Sequence, residues 1–72
     1  MNQEFVKPLI KKANQIADNT MDVAGTASHI SRFWTHHMRE ELAQYVKNGG
    51  EGLNQIAHKA MTKVMEEQKL AS

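Results

Sequence analysis

The chain has 72 residues, of which 40% are hydrophobic and 24% charged, and its formal net charge at pH 7 is +1. At roughly 100–200 residues per domain, this length predicts one small domain. The balanced charge argues against a nucleic-acid-binding protein, which usually carries a basic stripe, and the lack of cysteine excludes disulfides and thiolate-bound zinc or iron–sulfur centres.

Helical periodicity runs nearly from end to end and predicts an all-α fold, a small bundle of about four short helices. We expect residues 1–72 to form a single helical domain, with residues 1–7 as a lead-in and residues 68–72 as a frayed tail. Short connections should place successive helices side by side.

The first helix is expected from about Pro8 to Asp18, because a proline suits the first helical position, where its missing N–H costs no hydrogen bond. Phe5 and Val6 lie in phase with the apolar face of this helix. Residues 1–7 therefore have two interpretations, an extended lead-in or an earlier helix start with a kink at Pro8.

The second helix is expected to begin near Asn19 or Thr20, both good N-cap residues, and to end near Trp34. Gly25 lies inside this helix and should cost about 1 kcal/mol relative to alanine. It is tolerable there if another backbone packs closely against it.

The third helix is expected from about His36 to Lys47, with Thr35 as its N-cap, and the glycines after Asn48 should end it in a left-handed C-cap. A fourth helix should run from about residue 53 to residue 67. The predicted apolar faces of the four helices are Leu9, Ala13, Ile16 and Ala17; Val23, Ala27, Ile30 and Trp34; Met38, Leu42, Tyr45 and Val46; and Leu53, Ile56, Ala57, Ala60, Met61 and Val64.

Small size favours dependence on a partner. A core in a chain this short rarely supplies more than about 3–5 kcal/mol, so an interaction protein or a small subunit is a better expectation than a free-standing enzyme.

No apolar run approaches the roughly 20 residues that cross a bilayer, and residues 1–4 lack the features of a secretory signal. We therefore expect a cytoplasmic protein without membrane contact.

Catalytic and metal-binding patterns are weak. The four histidines, His29, His36, His37 and His58, do not have the spacing of a convergent metal site, so we interpret them as solvated. Ser28 diverges from its neighbour His29 on a helix, and no glycine-rich phosphate-binding motif occurs. The sequence thus predicts no catalytic residues, no metal site and no cofactor bound by this chain.

The segment from Arg32 to Arg39 has the most unusual composition, because it holds both arginines, the only tryptophan and a second aromatic residue. Tryptophan, arginine and methionine are enriched where proteins meet their partners. Trp34 continues the apolar stripe of the second helix and is expected in the core, whereas Phe33 lies off the stripe. The predicted partner-binding residues are Arg32, Phe33, Trp34, Met38 and Arg39.

Three blocks of sequence resemble the delta subunit family of NAD-dependent, molybdenum-containing formate dehydrogenases. The blocks are Ala13-Asn14-Gln15-Ile16-Ala17, then Ala27 through His29-Ile30-Ser31-Arg32-Phe33-Trp34 to Met38-Arg39, then Gly49-Gly50-Glu51-Gly52-Leu53. Two departures from the family pattern occur. Thr35 and His36 stand where an acidic residue and a proline are common, and the loop after the first block is shorter and more polar.

The resemblance implies a non-catalytic accessory subunit that binds the catalytic subunit of such an enzyme and supports its assembly or stability. It also implies that the molybdopterin, iron–sulfur clusters, flavin and NAD belong to larger partner subunits. An alternative is a small helical regulatory or nucleic-acid-binding domain that self-associates, and a histidine-based metal carrier is a third interpretation. Self-association of the isolated chain stays open.

Overall fold

The computed structural model describes residues 3–70, and within them the fold is built from four helices without a strand. The helices are α1 (Gln3–Thr20), α2 (Val23–Phe33), α3 (His36–Lys47) and α4 (Gln55–Gln68). The predicted all-α bundle is confirmed, and α3 has the predicted bounds. Residues 1 and 2 of the expected lead-in, and residues 71 and 72 of the expected tail, lie outside the described residues.

All four helices contribute to one apolar core, and α2 packs most extensively on α4. Every predicted apolar face points toward this core. Six residues of these faces are only partly buried: Ile16, Val23, Met38, Tyr45, Leu53 and Ile56. Val6, which lies in phase with the apolar face of α1, is buried, and the buried side chains that the periodicity did not single out are Thr26, Ala43 and Leu70. In the described part of the chain, no helix is both long enough and apolar enough to span a membrane.

Helix α1 begins earlier than the favoured prediction, because Pro8 lies inside it rather than at its first position. A proline at this position donates no backbone hydrogen bond to the preceding turn. In return, the additional turn buries Val6, which is 3% exposed. The earlier-start interpretation is therefore the correct one for residues 3–7.

The start of α2 was predicted incorrectly. Thr20 ends α1, Met21 adopts a left-handed conformation with φ of 53°, and Asp22 is the N-cap. The Asp22 carboxylate accepts a hydrogen bond of 2.6 Å from the Gly25 N–H. A Cβ at Gly25 would lie 3.0 Å from that same carboxylate, so the close neighbour of this glycine is the cap and not another backbone. Thr20 instead bonds to the buried Thr26 hydroxyl at 2.6 Å.

A glycine pair ends α3, as predicted. The Gly49 N–H bonds to the Val46 carbonyl and the Gly50 N–H bonds to the Tyr45 carbonyl, which is the pattern of a Schellman motif. Gly50 is buried, with φ of +65°, and a Cβ there would approach the His58 ring to 2.7 Å. Glycine is therefore required at this position by both its backbone conformation and its neighbour.

Asn14 joins α1 to the loop between α3 and α4 through both ends of its amide. Its Nδ2 donates to the Gly52 carbonyl at 2.9 Å, and its Oδ1 accepts from the Asn54 N–H at 2.8 Å. The Asn54 side chain in turn caps α4 by accepting a hydrogen bond of 2.8 Å from the Ala57 N–H. Helix α4 therefore starts at Gln55 and not at Leu53, because Asn54 is held by Asn14 in the capping position.

The end of α4 is also more ordered than expected. Lys69 takes a left-handed conformation, and the Leu70 N–H bonds to the Met65 carbonyl at 3.1 Å. Leu70 is 6% exposed and belongs to the core. In place of the expected fraying, residues 68–70 form a hydrophobic C-cap, since burying a leucine is worth about 1.5–3 kcal/mol.

We predict that Asn14→Ala lowers the free energy of unfolding by about 1–3 kcal/mol, because the Asn54 N–H and the Gly52 carbonyl would lose their partner. For a domain of this size, each 1 kcal/mol lowers Tm by about 4–8 °C. Urea and thermal unfolding followed by circular dichroism measure the change. Gln15→Ala, on an exposed neighbour in α1, is the control and should stay within about 0.5 kcal/mol of the unaltered chain. Equal effects of the two substitutions would show that the clamp contributes nothing specific.

Candidate functional site

The corner between α2 and α3 carries the five predicted partner-binding residues. Helix α2 ends at Phe33, Trp34 has extended backbone angles, and Thr35 caps α3 by accepting a hydrogen bond of 3.2 Å from the Met38 N–H. At this corner, two consecutive aromatic side chains differ in their exposure to solvent. Trp34 is 7% exposed and packs in the core, whereas Phe33 is 69% exposed.

Arg39 holds this corner together from within. Its guanidinium Nη1 donates to the Ser31 carbonyl at 2.7 Å and to the Trp34 carbonyl at 3.1 Å. Its Nε is buried without a hydrogen-bond partner among residues 3–70. The side chain is partly buried and satisfies carbonyls where α2 ends. Arg39 thus has a structural role that the sequence did not predict, and its contact with a partner remains a prediction.

Two side chains flank the exposed Phe33. The His29 ring lies one turn earlier on α2, with a centroid separation of 4.7 Å and a tilt of 41°. The Arg32 guanidinium carbon lies 6.0 Å from the Phe33 ring centroid, at the outer limit of a cation–π contact. These contacts give Phe33 neighbours on its own helix while leaving most of the ring in water.

An open groove of about 370 Å³ lies between α1 and the α2–α3 corner. Its lining residues are Lys12, Gln15, Ile16 and Asn19 from α1, together with His29, Phe33, Trp34 and Met38. The volume is at the lower end of the range of about 300–1,000 Å³ that is usual for ligand pockets.

The groove brings together three of the five predicted residues, Phe33, Trp34 and Met38, and Arg32 lies beside it against Phe33. The α1 wall was missed by the sequence analysis. Its members recur at helical spacing and so share one face of α1. That spacing was the available signal, but the sequence does not specify which face of α1 meets the corner.

The four histidines lie in different surroundings. His29 contacts Phe33, His37 lies 5.1 Å from the Phe5 ring centroid, His36 approaches the Glu40 carboxylate at 4.0 Å, and His58 lies beside Gly50. In the described part of the chain, no group of three or more histidine, aspartate or glutamate side chains is arranged to hold a metal ion.

Comparison with known proteins identifies one family. The family model described as the NADH-dependent formate dehydrogenase delta subunit FdsD matches residues 8–61. The matched stretch includes most of α1, all of α2 and α3, and the loop held by Asn14. No curated protein and no solved structure matches the chain.

We predict effects of very different size on stability for the two neighbouring aromatic residues. Phe33→Ala should change the free energy of unfolding by less than about 0.5 kcal/mol, because the ring is already mostly hydrated. Trp34→Ala should cost about 3–5 kcal/mol or prevent folding, because it empties part of the core. Urea unfolding of both variants measures the contrast, and a large loss of stability in Phe33→Ala would refute the exposed position of this ring.

We also predict different effects for the two arginines. Arg39→Ala should destabilise the chain by about 1–2 kcal/mol, because it removes the donor to the Ser31 and Trp34 carbonyls. Arg32→Ala, on an exposed side chain of the same type, should leave the unfolding free energy within about 0.5 kcal/mol. Thermal unfolding of both variants provides the measurement. If the two substitutions were equally mild, Arg39 would not hold the corner.

Proposed function

This chain belongs to the family of delta subunits of NADH-dependent formate dehydrogenases, and we propose that it is a non-catalytic accessory subunit that binds the catalytic subunit. In this proposal it acts in the cytoplasm as a single domain and supports the assembly or stability of the enzyme. The molybdopterin, iron–sulfur clusters, flavin and NAD site implied by the family belong to the larger subunits, and this chain holds none of them.

The exposure of Phe33 is the single observation that carries the proposal. The ring is 69% exposed on a corner whose neighbouring Trp34 is buried. Burying such a ring against a partner would contribute about 1.5–3 kcal/mol. Of the predicted partner-binding residues, Phe33 would contribute the most binding free energy by being buried against a partner. Arg32 and Met38 lie beside it.

The corner is also favourable for binding because it is already ordered. Thr35 caps α3 and Arg39 binds two carbonyls at the end of α2, so little further ordering of the backbone is needed on association. An interface that is organised before binding loses less conformational entropy. Support for assembly then follows from linkage, since a subunit that binds one state of its partner better than others increases the population of that state.

We predict that Phe33→Ala weakens binding to the catalytic subunit by at least about tenfold, equivalent to about 1.4 kcal/mol. The measurement is co-purification of the two co-expressed chains, followed by titration of the purified partners. Met21→Ala is the matched control, because Met21 is also strongly exposed, at 75%, and lies in the turn between α1 and α2.

Two results would refute the proposed function. One is an unaltered chain that fails to bind the catalytic subunit. The other is a catalytic subunit that reaches the same molybdenum content and formate oxidation activity when it is produced without this chain. Loss of binding in Phe33→Ala, with Met21→Ala unaffected and both variants folded, would support it.

A further inference from the structure

The groove beside Phe33 has an asymmetric charge distribution. Among residues 3–70, Lys12 is the only permanently charged residue of the lining and none of the lining side chains is acidic. Arg32 adds a second cation against Phe33. Neither Lys12 nor Arg32 forms an ion pair with another residue in the range 3–70. These two cations are therefore available to an acidic group from outside the chain.

The lining of the groove combines apolar and polar side chains. Ile16, Trp34 and Met38 are buried or partly buried members of the lining, and Phe33 is an exposed one. Gln15 and Asn19 contribute amides that can donate to and accept from a peptide backbone. Protein-binding surfaces usually combine apolar side chains with polar and charged ones, as this lining does.

We infer that this groove receives an apolar side chain from an acidic segment of the catalytic subunit. The inference rests on the proposed function and adds the α1 residues Lys12, Gln15, Ile16 and Asn19 to the binding surface. In this arrangement the apolar side chain packs between Ile16 and Phe33, and aspartate or glutamate residues beside it face Lys12 and Arg32. The open volume of about 370 Å³ suits a short piece of a protein chain.

The charge distribution disfavours two other occupants. A second copy of this chain, paired face to face through the groove, would bring the same two cations into the interface from both sides without an acidic lining residue to pair with them, since a two-fold interface uses one patch on both partners. A nucleic acid would gain little, because two cations neutralise few phosphates and binding strength depends on their number.

Charge reversal tests the inference. Lys12→Glu with Arg32→Glu should weaken binding to the purified catalytic subunit by about tenfold, chiefly through slower association, and should reduce the salt dependence of binding. The control is Lys11→Glu with Lys59→Glu, which makes the same change in net charge at two exposed positions outside the groove. The control should change the affinity by less than about twofold, because long-range charge is screened at physiological salt.

The chemistry of the occupant is tested by photo-crosslinking. The substitution Asn19→p-benzoylphenylalanine places a reactive group at the groove, and mass spectrometry of the complex locates its adduct. We expect the adduct on a segment of the catalytic subunit that combines apolar residues with aspartate or glutamate. An adduct on a basic segment, on a second copy of this chain or on a nucleic acid would overturn the inference.

The outcomes separate the inference from the proposed function. If the unaltered chain binds and Phe33→Ala does not, but charge reversal at the groove has no more effect than the control, only the acidic-segment inference is wrong. If the unaltered chain does not bind the catalytic subunit at all, the proposed function is wrong and the inference falls with it. Unfolding curves of each variant establish that it is folded.

Discussion

The clamp between Asn14 and the α3–α4 loop is the contact on which the rest of the bundle depends. One amide binds the Gly52 carbonyl and the Asn54 N–H, and Asn54 caps α4. The first residue of α4, and hence the register in which its apolar face meets α2, follows from this contact. Because the α2–α4 interface is the most extensive in the fold, the clamp acts at the start of the helix that contributes most to the packing of α2.

The blocks of sequence that resemble the family have a physical explanation in this fold. Asn14 of the first block binds the loop that contains the third block, while Trp34 and Arg39 of the second block fill the core and close the α2–α3 corner. These contacts lie within the chain and stabilise its fold whether or not a partner is present. Phe33 differs from them because most of its ring is in water, so folding does not explain a phenylalanine at this position. Its role is best sought in binding.

Much of the fold could be predicted from the sequence, because the apolar residues follow helical spacing and Thr35 is a strong N-cap. The errors occurred where two local signals competed. Pro8 resembled a helix start, yet burial of Val6 extends α1 beyond it, and Thr20 resembled an N-cap, yet Asp22 takes that role. In the candidate site, the burial of Trp34 and the exposure of Phe33 could be predicted from the apolar stripe of α2. The α1 wall of the groove could not be predicted, because helix crossing angles depend on the packing of all four helices together.

We propose that binding depends on Phe33, which the fold leaves in water, whereas the neighbouring Trp34 serves the core. Hydroxyl-radical footprinting tests this most directly, because it reports the solvent exposure of individual side chains in the free chain and in the complex with the catalytic subunit. We expect Phe33 and Met38 to become protected on binding while the exposed Met21 keeps its reactivity. Protection of Met21, with Phe33 as reactive in the complex as in the free chain, would contradict the proposal.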